Sequence, residues 1–410
     1  MQQHLKIFNA QAITPHRMIR NATIVVTDGI ISYVGDKNME IDDAYEIDAQ
    51  GKYVSPGFID IHLHGGGGGD FMDGDVNAFL AIAETHARYG MTAMCPTTLT
   101  SEKEGLLETL KIYEKADKLN TKGAQFIGMH LEGPYFALSQ RGAQDPKYIR
   151  DPNPEEYQEI VASSSVIKRW SAAPELNGAI EFGRYMRSNG ILPAIAHTDA
   201  VYDDVIKAFE AGYTLATHFY SSMSGVTRRN CFRHAGVIES GYLIDEMDIE
   251  MIADGVHLPA ELLKLIYKIK GSDRVALITD AMRGAGMPPG DSVIGNLHTG
   301  LKVIIEDGVA KLPDRSSFAG SIATADRLVR NVIQMAEVPL TEAVKMMTST
   351  PARIMGVDDK KGSLFPGKDA DLVIFDENIT IETTIIKGNI IYQRAGSLST
   401  GKPAEAVSLE

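Results

Sequence analysis

An α/β fold is predicted: a (β/α)8 TIM barrel inserted in a small β-sandwich domain formed by both chain termini. Three observations predict it. Between about residues 56 and 355, short apolar runs alternate with helix-like segments. Eight such runs can be counted, and eight buried parallel strands alternating with helices specify a closed barrel. Outside this region both ends of the chain read as short strands and turns, each with too few apolar residues for a good core of its own. Residues able to bind metal also gather at the C-terminal ends of the runs, where a barrel places its catalytic groups. A doubly wound open sheet is the structural rival, because strand count alone does not show closure.

The N-terminal segment, 1–55, reads as strands at 5–8, 22–26, 30–34 and 45–47, with Asp28-Gly29 as a hairpin signal. The C-terminal segment, 356–410, reads alike at 371–375, 381–387 and 390–393, with a turn at Lys387-Gly388-Asn389. The two pair into one small domain, so 56–355 is an insertion between its halves. Within the insertion the runs are 58–64, 92–96, 126–132, 168–172, 192–197, 215–218, 249–252 and 275–280. Helix-like segments follow most of them, as at 76–89, 102–119, 200–211 and 259–269. Helices at 324–336 and 341–347 finish the barrel.

Composition narrows the function. The net charge of −14 argues against a nucleic-acid or anionic-membrane surface. It leaves room for an anionic substrate in a local positive pocket. With two cysteines, Cys95 and Cys231, no disulfide framework or cysteine-built zinc site is readable. No apolar stretch reaches the roughly 18 residues of a membrane span. The N-terminus lacks the basic-then-apolar layout of a signal peptide, so a cytoplasmic enzyme is expected.

The chemistry begins at His62 and His64. In a strand, alternate side chains share a face, so both imidazoles point the same way and can chelate a transition metal. Gly65 to Gly69 follow and leave room for an ion and its ligand. Glu132, His197, His218 and Asp280 end four further runs, and His257 lies just after the seventh. Each alone has a bland reading as a hydrogen-bonded strand-end residue; together they define a metal site. His4, His16, His86 and His298 fall away from this mouth. His130 shares the face of Glu132 and reads as packing around the site. His234, in a basic loop, is a weak candidate for substrate contact, and Cys95 reads as a packing residue.

Four motifs carry a resemblance: Pro56-Gly-Phe-Ile-Asp-Ile-His-Leu-His64, His130-Leu-Glu-Gly-Pro134, Ala253-Asp-Gly-Val-His257 and Thr279-Asp-Ala-Met282. Together they resemble the N-acetylglucosamine-6-phosphate deacetylase family of the amidohydrolase superfamily. Thr350-Pro-Ala-Arg-Ile-Met-Gly356 and Gly362-Ser-Leu-Phe-Pro-Gly-Lys-Asp-Ala-Asp-Leu-Val373 look like segments common across that superfamily. The resemblance covers essentially the whole chain. Its most specific part is Glu132, since many superfamily members carry a carboxylated lysine at that strand.

The resemblance implies one or two divalent transition metal ions, zinc or iron. Glu132, His197 and His218 would hold the main ion, and His62 and His64 a second one bridged by Glu132. It makes Asp280 the proton-transfer residue. It makes Ala143, Gln144, Arg229, His257, Phe318, Ala319 and Gly320 contacts to a phosphorylated amino sugar, probed also by Ser221 and Ser222. Two departures stand out. Relatives commonly show Asn-Ala-Met where this chain has Ser221-Ser222-Met223, and Arg-Glu-Pro-Gly where it has Arg229-Asn230-Cys231-Phe232. These put the identity of the sugar in doubt and keep a galactosamine-type substrate open. A cyclic-amide hydrolase or deaminase would want a lysine in place of Glu132, and a binding protein without activity would have lost Asp280 or several ligands. A homodimer is the expected assembly.

Overall fold

The computed structural model describes residues 4–396 and 398–401, without the side chains of Arg229 and 399–401. All eight central runs form parallel strands: β1 (Phe58–Leu63), β2 (Met91–Pro96), β3 (Met129–Glu132), β4 (Ile167–Ala172), β5 (Leu192–Ile195), β6 (Leu215–Ala216), β7 (Asp248–Ile252) and β8 (Val275–Ile278). β3 to β8 are hydrogen-bonded in sequence order, and β1 pairs with β2. A parallel bridge between Thr97 and His130 links β2 to β3. Past the end of β8, the Asp280 N–H donates to the His62 carbonyl at 2.9 Å. Inside the strands, the buried Asp60 carboxylate accepts the Thr279 hydroxyl at 2.5 Å and its N–H at 3.1 Å, tying the first strand to the last.

Helices lie between the strands and bury one stripe each. In Ala325–Ala336 the buried residues are Ala325, Leu328, Val329, Val332 and Ala336, the spacing of one helical face. The strands are buried on both sides, as parallel sheets covered by helices are. The third run differs from its sequence expectation: it splits into Gln125–Phe126 and β3. Gly128 makes the break, with φ +122° and no room for a Cβ beside Lys168. Its N–H donates to the Tyr113 hydroxyl at 2.9 Å instead of to a neighbouring strand.

Strands from both chain ends share one sheet of nine. Tyr53–Pro56 is the junction, pairing with His4–Ile13 on one side and antiparallel with Leu372–Phe375 on the other. Ile7, Ile24, Ile47, Val54, Leu372 and Ile374 form their common core. The Asp28-Gly29 turn carries positive φ at both residues, 49° and 80°, as a tight hairpin between right-twisted strands requires.

One part was not foreseen. After β8 the chain builds a four-stranded antiparallel sheet, Gly290–Ile294, Leu301–Glu306, Val309–Lys311 and Phe318–Ser321. Its sequence signal is Asp307-Gly308, at φ 53° and 78°, between two apolar runs. Among the described residues no helix is long and apolar enough to cross a membrane.

Candidate metal centre and active site

His197, His218 and Asp280 sit immediately beyond β5, β6 and β8 in left-handed backbone, at φ 46°, 32° and 48°. Such a conformation costs a non-glycine residue on the order of 1–3 kcal/mol and persists where surroundings enforce it. Here they do. The His218 N–H is held by Glu250 at 3.0 Å, the His197 carbonyl accepts Ala137 N–H at 2.9 Å, and the Asp280 carbonyl accepts Ser321 N–H at 2.8 Å.

The side chains converge on the buried Glu132 carboxylate. Its Oε1 lies 3.0 Å from His218 Nε2, 3.5 Å from His197 Nε2 and 3.4 Å from His62 Nε2. Its Oε2 lies 3.4 Å from His64 Nε2. Asp280 Oδ1 approaches His64 Nε2 at 3.2 Å and His62 Nε2 at 3.5 Å. Three of the four rings are oriented through Nδ1, whose hydrogen-bond partners are acceptors. His62 donates to Glu250 Oε2 at 3.1 Å, His197 to the Gln140 carbonyl at 2.8 Å and His218 to the Ser221 carbonyl at 3.2 Å. These acceptors take the Nδ1–H of each ring and turn its Nε2 toward the Glu132 carboxylate, where a metal ion or a second proton can lie between the two.

That geometry tests whether a cation fits. The Nε2 atoms of His197 and His218 face each other at 3.2 Å, and His62 Nε2 is buried without a hydrogen bond. Such an arrangement is repulsive unless positive charge lies among the atoms. Two overlapping sets, His62–His64–Glu132 and Glu132–His197–His218, each bring their ligand atoms within 4.8 Å of one another. The electrostatics agree. Burial alone would raise the Glu132 carboxyl, yet the four imidazoles outweigh it and hold it well below the usual carboxylate range. Burial also works against a charged His64, but Asp280 and Glu132 outweigh it and raise its pKa to about 9, so the anions around His64 favour a positive charge there, be it a proton or the metal ion that would displace it. Imidazole and carboxylate donors in this number suit a divalent transition metal.

Above the cluster opens a cavity of about 530 Å³. His64, Glu132, His197, His218 and Asp280 form its floor, and Ala143, Gln144, Ser221, Ser222, His257, Phe318 and Gly320 line its walls. His62 lies beneath, fully buried. The His257 Nδ1–H donates to Asp254 at 2.7 Å, and its ring packs on Phe318 at 4.7 Å between centroids. Gln144 faces the metal ligands: its amide N–H donates to Glu132 Oε2 at 2.7 Å, and its oxygen accepts the Thr100 N–H at 2.8 Å. Ala319 is fully buried and packs among Met282, Ile294 and Val303 instead of lining the cavity. Arg229 ends the strand Thr227–Arg229 of a hairpin, and its side chain lies outside the described residues.

His130 bonds Ser171 at 2.7 Å and Thr97 at 3.2 Å, packs edge-on against His62 with 4.8 Å between ring centroids, and belongs to neither ligand set. His234 belongs to the strand Phe232–His234 and does not line the cavity. The Cys95 thiol is buried and donates to the Gly128 carbonyl at 3.1 Å. Sequence reasoning missed Lys311 and Arg315, which reach the cavity wall from the antiparallel sheet. Both are partnered by Glu306, Arg315 Nε at 3.0 Å and Lys311 Nζ at 3.5 Å.

Residues 53–391 match the amidohydrolase family model. An N-acetylglucosamine-6-phosphate deacetylase of Vibrio furnissii is 31% identical, with 97% of each chain covered. The chain belongs to the N-acetylglucosamine-6-phosphate deacetylase family of amidohydrolases. An N-acetylgalactosamine-6-phosphate deacetylase of Escherichia coli O157:H7 is also 31% identical, over 89% of this chain and 93% of that one. The crystal structure of an N-acetylglucosamine-6-phosphate deacetylase from Pasteurella multocida superposes with a TM-score of 0.88 at 28% identity, covering 95% of this chain and all of that one.

Proposed function

We propose that this chain hydrolyses the N-acetyl group of N-acetylglucosamine 6-phosphate, releasing acetate and glucosamine 6-phosphate. The observation that carries the reading is one carboxylate, Glu132, shared by two histidine pairs, with Asp280 beside it on the floor of a cavity. The volume of about 530 Å³ suits a phosphorylated hexosamine.

Glu132, His197 and His218 would hold the main ion, and His62 and His64, with Glu132 shared, the second. Nitrogen and carboxylate donors favour zinc or ferrous iron over calcium or magnesium. When bound, such an ion lowers the pKa of water and polarises the acetyl carbonyl. Asp280 does the proton work. Burial would raise its carboxyl, but His64 and His62 outweigh that and keep it ionised at neutral pH. It accepts the proton of the attacking water and delivers it to the sugar nitrogen as the C–N bond breaks. His257, held by Asp254, orients the substrate or supports the developing oxyanion. Ala143, Gln144, Ser221, Ser222, Phe318 and Gly320 shape the sugar site, Ala319 supports it from below, and Arg229 binds the phosphate.

The architecture within this reading is a (β/α)8 barrel, 56–355, inserted in a β-sandwich of 1–55 and 356–410. The bonds from Asp280 to His62 and from Thr279 to Asp60 support closure. A homodimer is the assembly proposed with this reading. The exposed free thiol of Cys231 suits a reducing, cytoplasmic compartment.

A second reading, an N-acetylgalactosamine 6-phosphate substrate, is favoured by Ser221-Ser222 and by the equal identity of a relative of that name. Acetate release from both epimers, with and without the 6-phosphate, tests the proposal. Turnover fastest on the phosphorylated gluco epimer supports it, and preference for the galacto epimer selects the second reading. Absence of release from all of them refutes both.

A further inference from the structure

Two charged side chains lie fully buried beneath the metal ligands, on strands that carry no ligand themselves. Arg169 comes from β4 and Glu250 from β7. Taking both charges out of water is costly, and such a pair persists when good geometry and further hydrogen bonds compensate. The contacts here run to the metal-bearing strands. Glu250 Oε1 is paired with Arg169 Nη1. Glu250 Oε2 accepts the Nδ1–H of His62 at 3.1 Å and the backbone N–H of His218 at 3.0 Å. Arg169 donates from Nη1 to the Ile61 carbonyl at 3.1 Å and from Nη2 to Thr217 Oγ1 at 2.7 Å. The pair therefore grips residues 61–62 on one side and 217–218 on the other.

The four histidines are not held alike. His197 and His218 donate Nδ1–H to backbone carbonyls, and His64 Nδ1 is buried without a partner. His62 alone of the four directs its Nδ1–H to a carboxylate. An anionic acceptor fixes the tautomer more firmly than a carbonyl and makes the opposite nitrogen a stronger donor.

We propose that Arg169 and Glu250 form a positioning pair that sets the affinity of the His62–His64 site and fixes its register against Glu132–His197–His218. The proposal rests on the two-ion reading above. Loss of such an outer carboxylate typically weakens metal binding by about 10–100-fold. The larger loss should fall on the second ion, because His197 and His218 keep their carbonyl acceptors and only the backbone N–H of His218 is disturbed.

Two variants test it. Arg169→Met/Glu250→Gln removes both charges together and so leaves no unpaired buried charge. Glu250→Asp keeps a carboxylate but draws it back from His62. Zinc titration of the apo proteins against a competing chelator gives both affinities, and the visible spectrum of the cobalt(II) forms reports ligand geometry. Near-UV circular dichroism checks the fold, and Glu250→Asp decides the matter if the double variant does not fold. The expected result is about a 10–100-fold loss at the weaker site in the double variant, a smaller loss in Glu250→Asp, and a lesser change at the stronger site. Unchanged affinities, or equal losses at both sites, would overturn the inference while leaving the metal reading intact. A wild-type protein that takes up no second ion refutes the two-ion reading and this inference with it.

Discussion

His197 and His218 face each other through Nε2 atoms 3.2 Å apart, each ring turned by its Nδ1 toward a backbone carbonyl. Two imidazole nitrogens at that distance from each other, with the Glu132 Oε1 anion beside both, call for a positive charge among them, which a metal ion supplies. Glu132 belongs to both ligand sets, whereas His62 belongs to one. Glu132→Gln should therefore weaken zinc binding more than His62→Ala does. Titrating each apo variant gives the order. The reverse would make the His62–His64 pair the principal site.

Asp280 is the ionised group beside the cluster that belongs to neither ligand set. Asp280→Asn preserves its shape but cannot shuttle protons. Turnover should fall by about 10²–10⁴-fold while metal content and fold are unchanged. A variant retaining more than about half of wild-type turnover would remove Asp280 from the proton path.

Arg229 closes a hairpin that follows the Ser221-Ser222 turn on the cavity wall. A guanidinium matches phosphate oxygens in a two-pronged fork. Arg229→Ala should sharply raise KM for the phosphorylated sugar and barely change it for the free sugar. kcat falls too if phosphate binding supports the chemical step. Equal losses on both substrates, or none, would move the phosphate elsewhere; Lys311 and Arg315 are then the cations to mutate.

The two thiols should behave oppositely. Burial pushes the Cys95 thiol up to about 12, so at pH 8 it is neutral as well as inaccessible. Cys231 is exposed. A thiol reagent should modify one cysteine per native chain and two after denaturation. Rapid modification of both in the native protein would contradict the packing around β2.

Much of the centre was legible because period-two alternation puts His62 and His64 on one face, and because Glu132, His197, His218 and Asp280 end apolar runs. The backbone that aims them was not. Left-handed φ at His197, His218 and Asp280 comes from tertiary hydrogen bonds that no local pattern records. Arg169 and Glu250 were hidden for a related reason: charges within strands, as in Lys168-Arg169-Trp170 and Ile249-Glu250-Met251, do not by themselves say which side chain faces inward. The sheet from Gly290 to Ser321 was not legible despite Asp307-Gly308, because it lies inside the barrel's span of the chain yet has no strand–helix alternation of its own. Gly128 broke the third run where its apolar character alone suggested continuity.

Deacetylation at Glu132, His197, His218 and Asp280 should depend on bound metal. Its most direct test is to strip the protein with a chelator, add back zinc or ferrous iron in steps, and follow acetate released from N-acetylglucosamine 6-phosphate. The apo protein should be inactive, and activity should return in proportion to bound metal, with equal amounts of acetate and free amine. Full activity in protein shown by elemental analysis to contain no metal would contradict that dependence.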